Sequence, residues 1–240
     1  MRIAVISDVH GNLPALETVL RDIDLRAPDV IVNLGDCVTS PLWPRETLEL
    51  LDSRGMPTVR GNHDRIILAA PPEKVTPSVQ YSRESLTDVQ REALGALPAT
   101  LQFDDGVLAV HGTPDDDSEY LLEDKVAGRL ARSPRNVLDT RLQGVTAGLI
   151  LCGHSHTQHC AMASGNRLVV NPGSVGCPRA TDNDDPDAVE AGSPHARYAI
   201  VTRRNGRWSA ELIVLAYDWE AVAERARENG REDWARAFCG

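Results

Sequence analysis

A chain of 240 residues, 42% hydrophobic and 25% charged, is long enough for a real core and has the balance of an ordinary globular protein. Lysine and arginine number 25 against 35 aspartates and glutamates, a formal charge of −10, and so acidic a surface repels a polyphosphate backbone, which argues against long nucleic acid as the partner. The five cysteines (Cys37, Cys152, Cys160, Cys177, Cys239) form no Cys-x-x-Cys pair, and the opening apolar run, Ile3 to Ile6, is too short for a signal peptide or a membrane span, so free thiols, a cytoplasmic location and no membrane partner are expected.

Residues 2–7 read as a buried strand ending at Ser7-Asp8. Asn12 suits the cap of a following helix, with Pro14 in its first turn and Leu13, Leu16, Val19, Leu20 and Ile23 at helical spacing. Val30 to Val32 starts a second strand that finishes at Gly35-Asp36, a helix runs from about Pro44 to Arg54, and Thr58-Val59 enters Gly61-Asn62-His63. This β-α-β-α-β order predicts parallel strands with right-handed crossovers, and it places all three polar motifs just past strand carboxyl ends, where open α/β sheets bind ligands.

Further on, Thr87 with Gln90 reads as a capping box for a helix ending near Gly95, and Leu101 to Phe103 with Val107 to Val110 as a hairpin that delivers His111. Helices are expected at 118–132 and 135–143, a buried strand at Ala147 to Leu151, another at Leu168 to Val170, and an acidic solvated loop at 181–195. Asn205-Gly206 between two apolar runs is a strong hairpin signal, and Asp218 suits the cap of a final helix to about Phe238. The chain is read as one domain over 1–240, with the hairpin and helix of 196–239 at its end.

Five of the seven histidines fall in short segments rich in carboxylate, amide and glycine: Asp8-Val9-His10, Gly35-Asp36, Gly61-Asn62-His63-Asp64, His111-Gly112 and Gly153-His154-Ser155-His156. Imidazole with carboxylate suits borderline transition metals such as manganese, iron or zinc. Two such ions held roughly 3.5–4 Å apart can clamp the attacking and leaving oxygens of a phosphoryl transfer.

On these motifs, from Asp8 to at least Ser174, the chain resembles the calcineurin-like metallophosphoesterases, and most of all their compact bacterial members, which include small phosphodiesterases and dinucleoside polyphosphate hydrolases. The resemblance implies an α/β fold, a four-layer αββα sandwich of two mixed β-sheets flanked by helices. It implies that Asp8, His10 and His156 hold one divalent ion, that Asn62, His111 and His154 hold the other, and that Asp36 bridges the two. Manganese is the expected metal, with iron, zinc, nickel and cobalt also compatible with the donors. The reaction implied is hydrolysis of a phosphodiester, phosphomonoester or nucleotide phosphoanhydride by a metal-bridged hydroxide, with His63 facing the substrate to protonate the leaving oxygen. Two other classes are weighed against it: a non-catalytic scaffold on the same fold, like the retromer subunit, and a nuclease. The first typically loses ligands that are all present here, and the second usually carries a basic groove.

The chain departs from the Ser/Thr protein phosphatases, whose signature reads Gly-Asp-x-Val-Asp-Arg-Gly. Here Gly35-Asp36-Cys37-Val38 continues as Thr39-Ser40-Pro41, which turns the expectation from phosphoproteins to a small phosphorylated or nucleotide-like substrate. Asp64 either orients His63 or caps the helix beginning there. Arg65 and Arg179 are the candidates for gripping the substrate phosphate, since guanidinium suits bidentate phosphate binding. Asn62 also borders the substrate position, and Asn12 either helps fix substrate or only caps its helix. His159 and His195 fit none of the motifs and are assigned to packing or surface, Cys37 and Cys152 to small apolar spaces, and the long hairpin with the final helix offers a surface for a homodimer.

Overall fold

Alternation along the apolar strands decides the layering, because successive side chains of a strand point to opposite faces. The computed structural model describes residues 1–69, 71, 73, 75–104, 106–127, 129–178 and 191–239. Strand β1 (Arg2–Ile6) sends Ile3 and Val5 to one side and Ala4 and Ile6 to the other. After helix α1 (Leu13–Arg26), which Asn12 caps, β2 (Val30–Asn33) lies parallel to β1. Beyond α2 (Pro44–Arg54) the third run is reduced to a single parallel bridge, Asn33 to Thr58, leading into α3 (Asn62–Ala69). Then come α4 (Pro77–Ser85) and α5 (Asp88–Gly95), the latter opened by the full Thr87–Gln90 capping box.

The hairpin β3 (Thr100–Phe103) and β4 (Val107–Val110) is followed by β5 (Glu123–Val126), β6 (Arg129–Arg132) and α6 (Arg135–Arg141). Strands β7 (Leu149–Leu151), β8 (His159–Ala163) and β9 (Arg167–Asn171) complete the second half, with β7 parallel to both β4 and β9. The chain closes with β10 (Ala196–Arg204), β11 (Arg207–Leu215), α7 (Trp219–Glu228) and α8 (Glu232–Cys239). Asn205 and Gly206 both take positive φ in the β10–β11 turn, as the hairpin signal predicts.

Two mixed sheets result, ordered β11-β10-β1-β2 and β3-β4-β7-β9-β8. Ile3, Val5, Ala109, Leu149, Leu151 and Val201 pack between them. Outside the first sheet, Leu16 and Val19 of α1, Leu48 of α2 and Ile67 of α3 cover Ala4, Ile6 and Ile200. Outside the second, Leu138 of α6 joins Leu121, Leu122 and Leu142 over Leu108, Val110, Ile150 and Val169. The fold is therefore the expected αββα sandwich. Helices α7 and α8 pack as a separate cluster on Leu42 and Cys177 through Val222, Ala226, Trp234 and Phe238.

Two expectations need correction, and one strand was not anticipated. Residues 118–132 are not helical but carry the β5–β6 hairpin, paired from Glu123↔Arg132 to Val126↔Arg129. The four-residue spacing of Leu122, Val126 and Leu130 mimics a helix, yet Ala127 turns in the left-handed region, and the Arg141 guanidinium ties the carbonyls of Leu121 and Glu123 and the Asp124 carboxylate in place. The final helix is two helices, broken where Gly230 takes a φ of 72°. Strand β8 has no counterpart in the sequence reading; its His-Cys-Ala-Met-Ala run lacks β-branched residues and owes its extension to pairing with β9.

Leu151 is fully buried between the sheets three residues before His154. Leu151→Ala should lower the unfolding free energy by about 2–5 kcal/mol, read from urea denaturation; a loss below that range would mean the two sheets close over the gap.

Candidate metal centre

The strands of both sheets end on the same side, and their polar ends meet. Asp8 and His10 follow β1, Asp36 follows β2, His111 follows β4, and His154 and His156 follow β7. To point their side chains inward, five of these residues take left-handed backbone: Asp8 (φ 54°), His10 (47°), Asp36 (55°), His154 (66°) and His156 (56°). They are half of the ten described non-glycine residues with positive φ. Each such turn costs roughly 1–3 kcal/mol, and strain of that kind collects where a site requires it.

Two groups form. Asp8, His10 and His156 present ligand atoms within 4.8 Å of one another, and so do Asp36, His111 and His154. The outer ring nitrogens explain why the inner ones are free. His10 Nδ1 lies 3.0 Å from the Thr39 carbonyl, His111 Nδ1 2.7 Å from that of Leu34, and His156 Nδ1 3.0 Å from that of Cys177. A carbonyl can only accept, so each Nδ1 carries a proton and each Nε2 is the atom turned inward, able to offer a lone pair to a metal ion. His154 is arranged the other way, its Nε2 donating to the Ser118 carbonyl at 3.0 Å, which leaves Nδ1 as its donor atom for a metal.

The inner atoms fit cations and little else. His10 Nε2 and His156 Nε2 face each other at 3.2 Å, a spacing that a proton on one ring or a cation between them must fill. The Asp8 Oδ1 atom is buried without a hydrogen-bond partner, 3.3 Å from His156 Nε2. Asp36 Oδ2 stands 3.3 Å from His111 Nε2 and 3.8 Å from His10 Nε2, so this one oxygen is within reach of both groups. Asn62 Oδ1 is 3.0 Å from His111 Nε2, beside the second group. A donor set of imidazole nitrogens, carboxylates and one amide oxygen suits a borderline divalent ion.

The electrostatics agree. Burial favours the neutral form of Asp8, but His156 and His111 outweigh it and hold the carboxyl down at about 2. Burial works in the same direction on Asp36, and His111, His63 and His10 hold it well below the carboxylate range. Burial opposes a proton on His111, yet contact with Asp36 and the nearby Asp8 raise it to about 10; Asp8 likewise raises His156. His10 and His154 are pushed down to about 4, chiefly by burial and then by the neighbouring imidazoles His156 and His111. The two carboxylates thus draw positive charge onto His111 and His156.

Other sequence candidates divide. His63 sits half-buried on the rim, its ring edge-on to His10 with centroids 5.3 Å apart, its backbone N–H on Asp36 Oδ1 and its Nδ1 without a partner. Asp64 does not orient it: the Asp64 carboxylate accepts the backbone N–H groups of Asp36, Cys37 and Gly61, each at 2.9 Å. Of the two roles weighed for Asn12, the structure shows the helix cap. It is fully buried, accepts from Ala15 N, and donates to the Gly176 carbonyl and the Tyr217 hydroxyl. Arg65 is near the cluster but grips Asp117 with two bonds of 2.8 and 2.6 Å. Arg179 lies outside the described residues, as does most of the acidic loop expected at 181–195. His159 pairs with Glu123 at 3.5 Å and His195 packs against Trp219 with the rings tilted by 50°, both packing roles, while Cys37 and Cys152 are buried thiols that burial pushes well above their usual range. Thr39 and Ser40, where a protein phosphatase has Asp-Arg, are buried beneath α4 with Ser40 N bonded to Ser82 Oγ.

The braces were invisible in the sequence. The carbonyls of Leu34, Thr39 and Cys177 belong to groups every residue carries, so no residue type announces them. Asp64 did carry a signal, a carboxylate beside the ligand turn, but its three N–H partners come from two separate loops.

A mixed αββα sandwich whose strand ends bring two Asp/His groups together is the architecture of a metallophosphoesterase. The calcineurin-like phosphoesterase superfamily domain matches residues 1–188, and the chain belongs to that superfamily. It is 28% identical to an uncharacterized protein of Methanocaldococcus jannaschii over 264 aligned residues, covering 99% of this chain and 98% of that one. Among solved structures it resembles a metallophosphoesterase from Sphaerobacter thermophilus (TM-score 0.72, 26% identity, 98% of this chain and 100% of the other). A hypothetical protein from Pyrococcus horikoshii OT3 shares the fold (TM-score 0.77, 22% identity, 98% and 96% covered). No helix among the described residues is long and apolar enough to cross a membrane.

Asp64→Ala removes no candidate ligand but frees three N–H groups that shape the Asp36 and Asn62 turns. It should weaken metal binding about 10–100-fold and destabilise the fold by about 1–3 kcal/mol, read by calorimetric metal titration and thermal unfolding; wild-type metal affinity in the variant would remove the bracing role.

Proposed function

We propose that this protein is a dinuclear metal-dependent phosphoesterase acting on a small phosphorylated substrate, with a nucleotide-like diester or phosphoanhydride preferred over a phosphoprotein. The observation that carries the reading is Asp36 Oδ2, which lies within 4 Å of an imidazole from each group, a position that supports a bridging role. Asp8, His10 and His156 would hold one ion, and Asn62, His111 and His154 the other. Two divalent ions, manganese being our choice, supply Lewis acidity toward a phosphoryl oxygen and a water acidic enough to serve as nucleophile near neutral pH.

The chain's own residues do the rest. The backbone carbonyls behind His10, His111 and His156 hold each imidazole in the tautomer that donates its Nε2 lone pair inward. Asn62 contributes a neutral oxygen, which limits the negative charge facing an anionic substrate. His63, at the rim and paired through no side chain, protonates the leaving oxygen as bond cleavage proceeds, a role suited to imidazole near working pH. The burial of Thr39 and Ser40 under α4 supports the preference for a small substrate, because no charged pair for a phosphoprotein stands there.

The reading is tested by stripping the protein with a chelator and assaying it, with manganese, iron, nickel, cobalt or zinc restored, on p-nitrophenyl phosphate, its bis-ester and diadenosine tetraphosphate. Metal-dependent turnover of the bis-ester or the tetraphosphate is expected, and no turnover with any metal would favour a scaffold. In the same assay His63→Ala should keep both ions and lose about 10²–10⁴-fold in kcat; an unchanged kcat would take His63 out of the chemistry.

A further inference from the structure

Three of the four imidazoles in the cluster are braced by carbonyls of buried or nearly buried segments; His154 is not. Its brace is the carbonyl of Ser118, an exposed residue, and its ring is stacked on Tyr120, with centroids 4.9 Å apart and planes 29° from parallel. Its orientation therefore depends on how the stretch 113–121 is held. That stretch folds back at once: a Cβ on Gly112 would stand 2.6 Å from the carbonyl oxygens of both Asp116 and Glu119. Thr113 closes a turn on Asp116 through its N–H (2.8 Å) and its hydroxyl (3.2 Å).

Between the turn and the brace sits Asp117. Arg65, carried on α3 three residues beyond Asn62, meets its carboxylate with both arms of the guanidinium, Nε to Oδ2 at 2.8 Å and Nη2 to Oδ1 at 2.6 Å. The same Oδ1 accepts the Ser118 hydroxyl at 2.9 Å. A bidentate pair of this kind fixes geometry as well as contributing energy. It joins the helix that presents Asn62 to the residue before the one that orients His154, so Asn62 and His154 both answer to one fork. The surroundings do not favour an anion. The cavity of about 310 Å³ beside His111 is lined by Asp115, Asp116 and Asp117 against Arg60 and Arg65.

We infer that Arg65 and Asp117 form a clamp that positions His154 for the second metal ion, so that Arg65 is a positioning residue and not a contact to the substrate phosphate. The inference rests on the two-metal reading above. An ion pair in which Arg65 is 43% and Asp117 15% exposed adds little to global stability, so its effect is local and is read at the metal rather than in the melting temperature.

The test is calorimetric titration of manganese into chelator-treated protein, paired with kinetics on the bis-ester. Arg65→Lys keeps the charge but not the fork, Asp117→Asn keeps the shape but not the charge, and Tyr120→Leu keeps an apolar side chain but not the stack. Each should weaken one of two binding events about 10–100-fold, the range typical of groups that orient a ligand. Each should also lower kcat at limiting manganese, with recovery in excess metal and an unchanged KM. The Arg65→Ala, Asp117→Ala double variant should be no worse than either single one. Two wild-type binding events in Arg65→Lys together with a raised KM would make Arg65 a phosphate contact and overturn the clamp alone. Fewer than two binding events in the wild-type protein would end the two-metal reading, and the clamp with it.

Discussion

Burying two carboxylates against four imidazoles is the constraint around which the rest of this structure is arranged. Asp8 and Asp36 are almost completely removed from water, and a buried carboxylate is expensive unless it is paired. The fold answers with geometry. Five of the cluster residues turn in left-handed backbone to face inward, and the outward ring nitrogens of His10, His111 and His156 end on main-chain carbonyls. What remains facing the centre is imidazole Nε2 atoms and carboxylate oxygens, an arrangement that makes sense for holding cations.

The sandwich exists to deliver those turns. Inter-sheet packing of Ile3, Val5, Leu149 and Leu151 sets where β1 and β7 end, and with them the positions of Asp8 and His154. The brace on Asp36 is separate again. Asp64, on the first turn of α3, gathers N–H groups from the Asp36 loop and from Gly61, and so ties the β2 end to the turn that carries Asn62 and His63. Ligands from different strands are in this way held by contacts between their loops, not by the strands alone.

Much of this was legible from residue order. Apolar runs ending in Asp8, Asp36 and His111 predicted strand ends with ligands attached; Asn205-Gly206 predicted its hairpin, and Thr87 with Gln90 its capping box. The failures share a cause. Leu122, Val126 and Leu130 repeat at helical spacing, yet the stretch forms a hairpin, with Arg141, arriving from another element, bonded to the Leu121 and Glu123 carbonyls and the Asp124 carboxylate. Asn229-Gly230 interrupts what reads as one amphipathic helix, and β8 is extended because β9 lies beside it. In each case local pattern lost to a tertiary partner or to one backbone angle.

By itself, then, the sequence determined which residues can bind metal, their order, and the kind of fold that brings them together, because donor chemistry and strand periodicity are both local properties. Only the tertiary structure decided which nitrogen of each histidine points inward, that Asn12 is spent on Gly176 and Tyr217, and that Arg65 is spent on Asp117. The reason is physical. Those outcomes depend on carbonyls, N–H groups and carboxylates brought from distant segments, and nothing in a residue's identity says which of its many possible partners the fold will place within 3 Å.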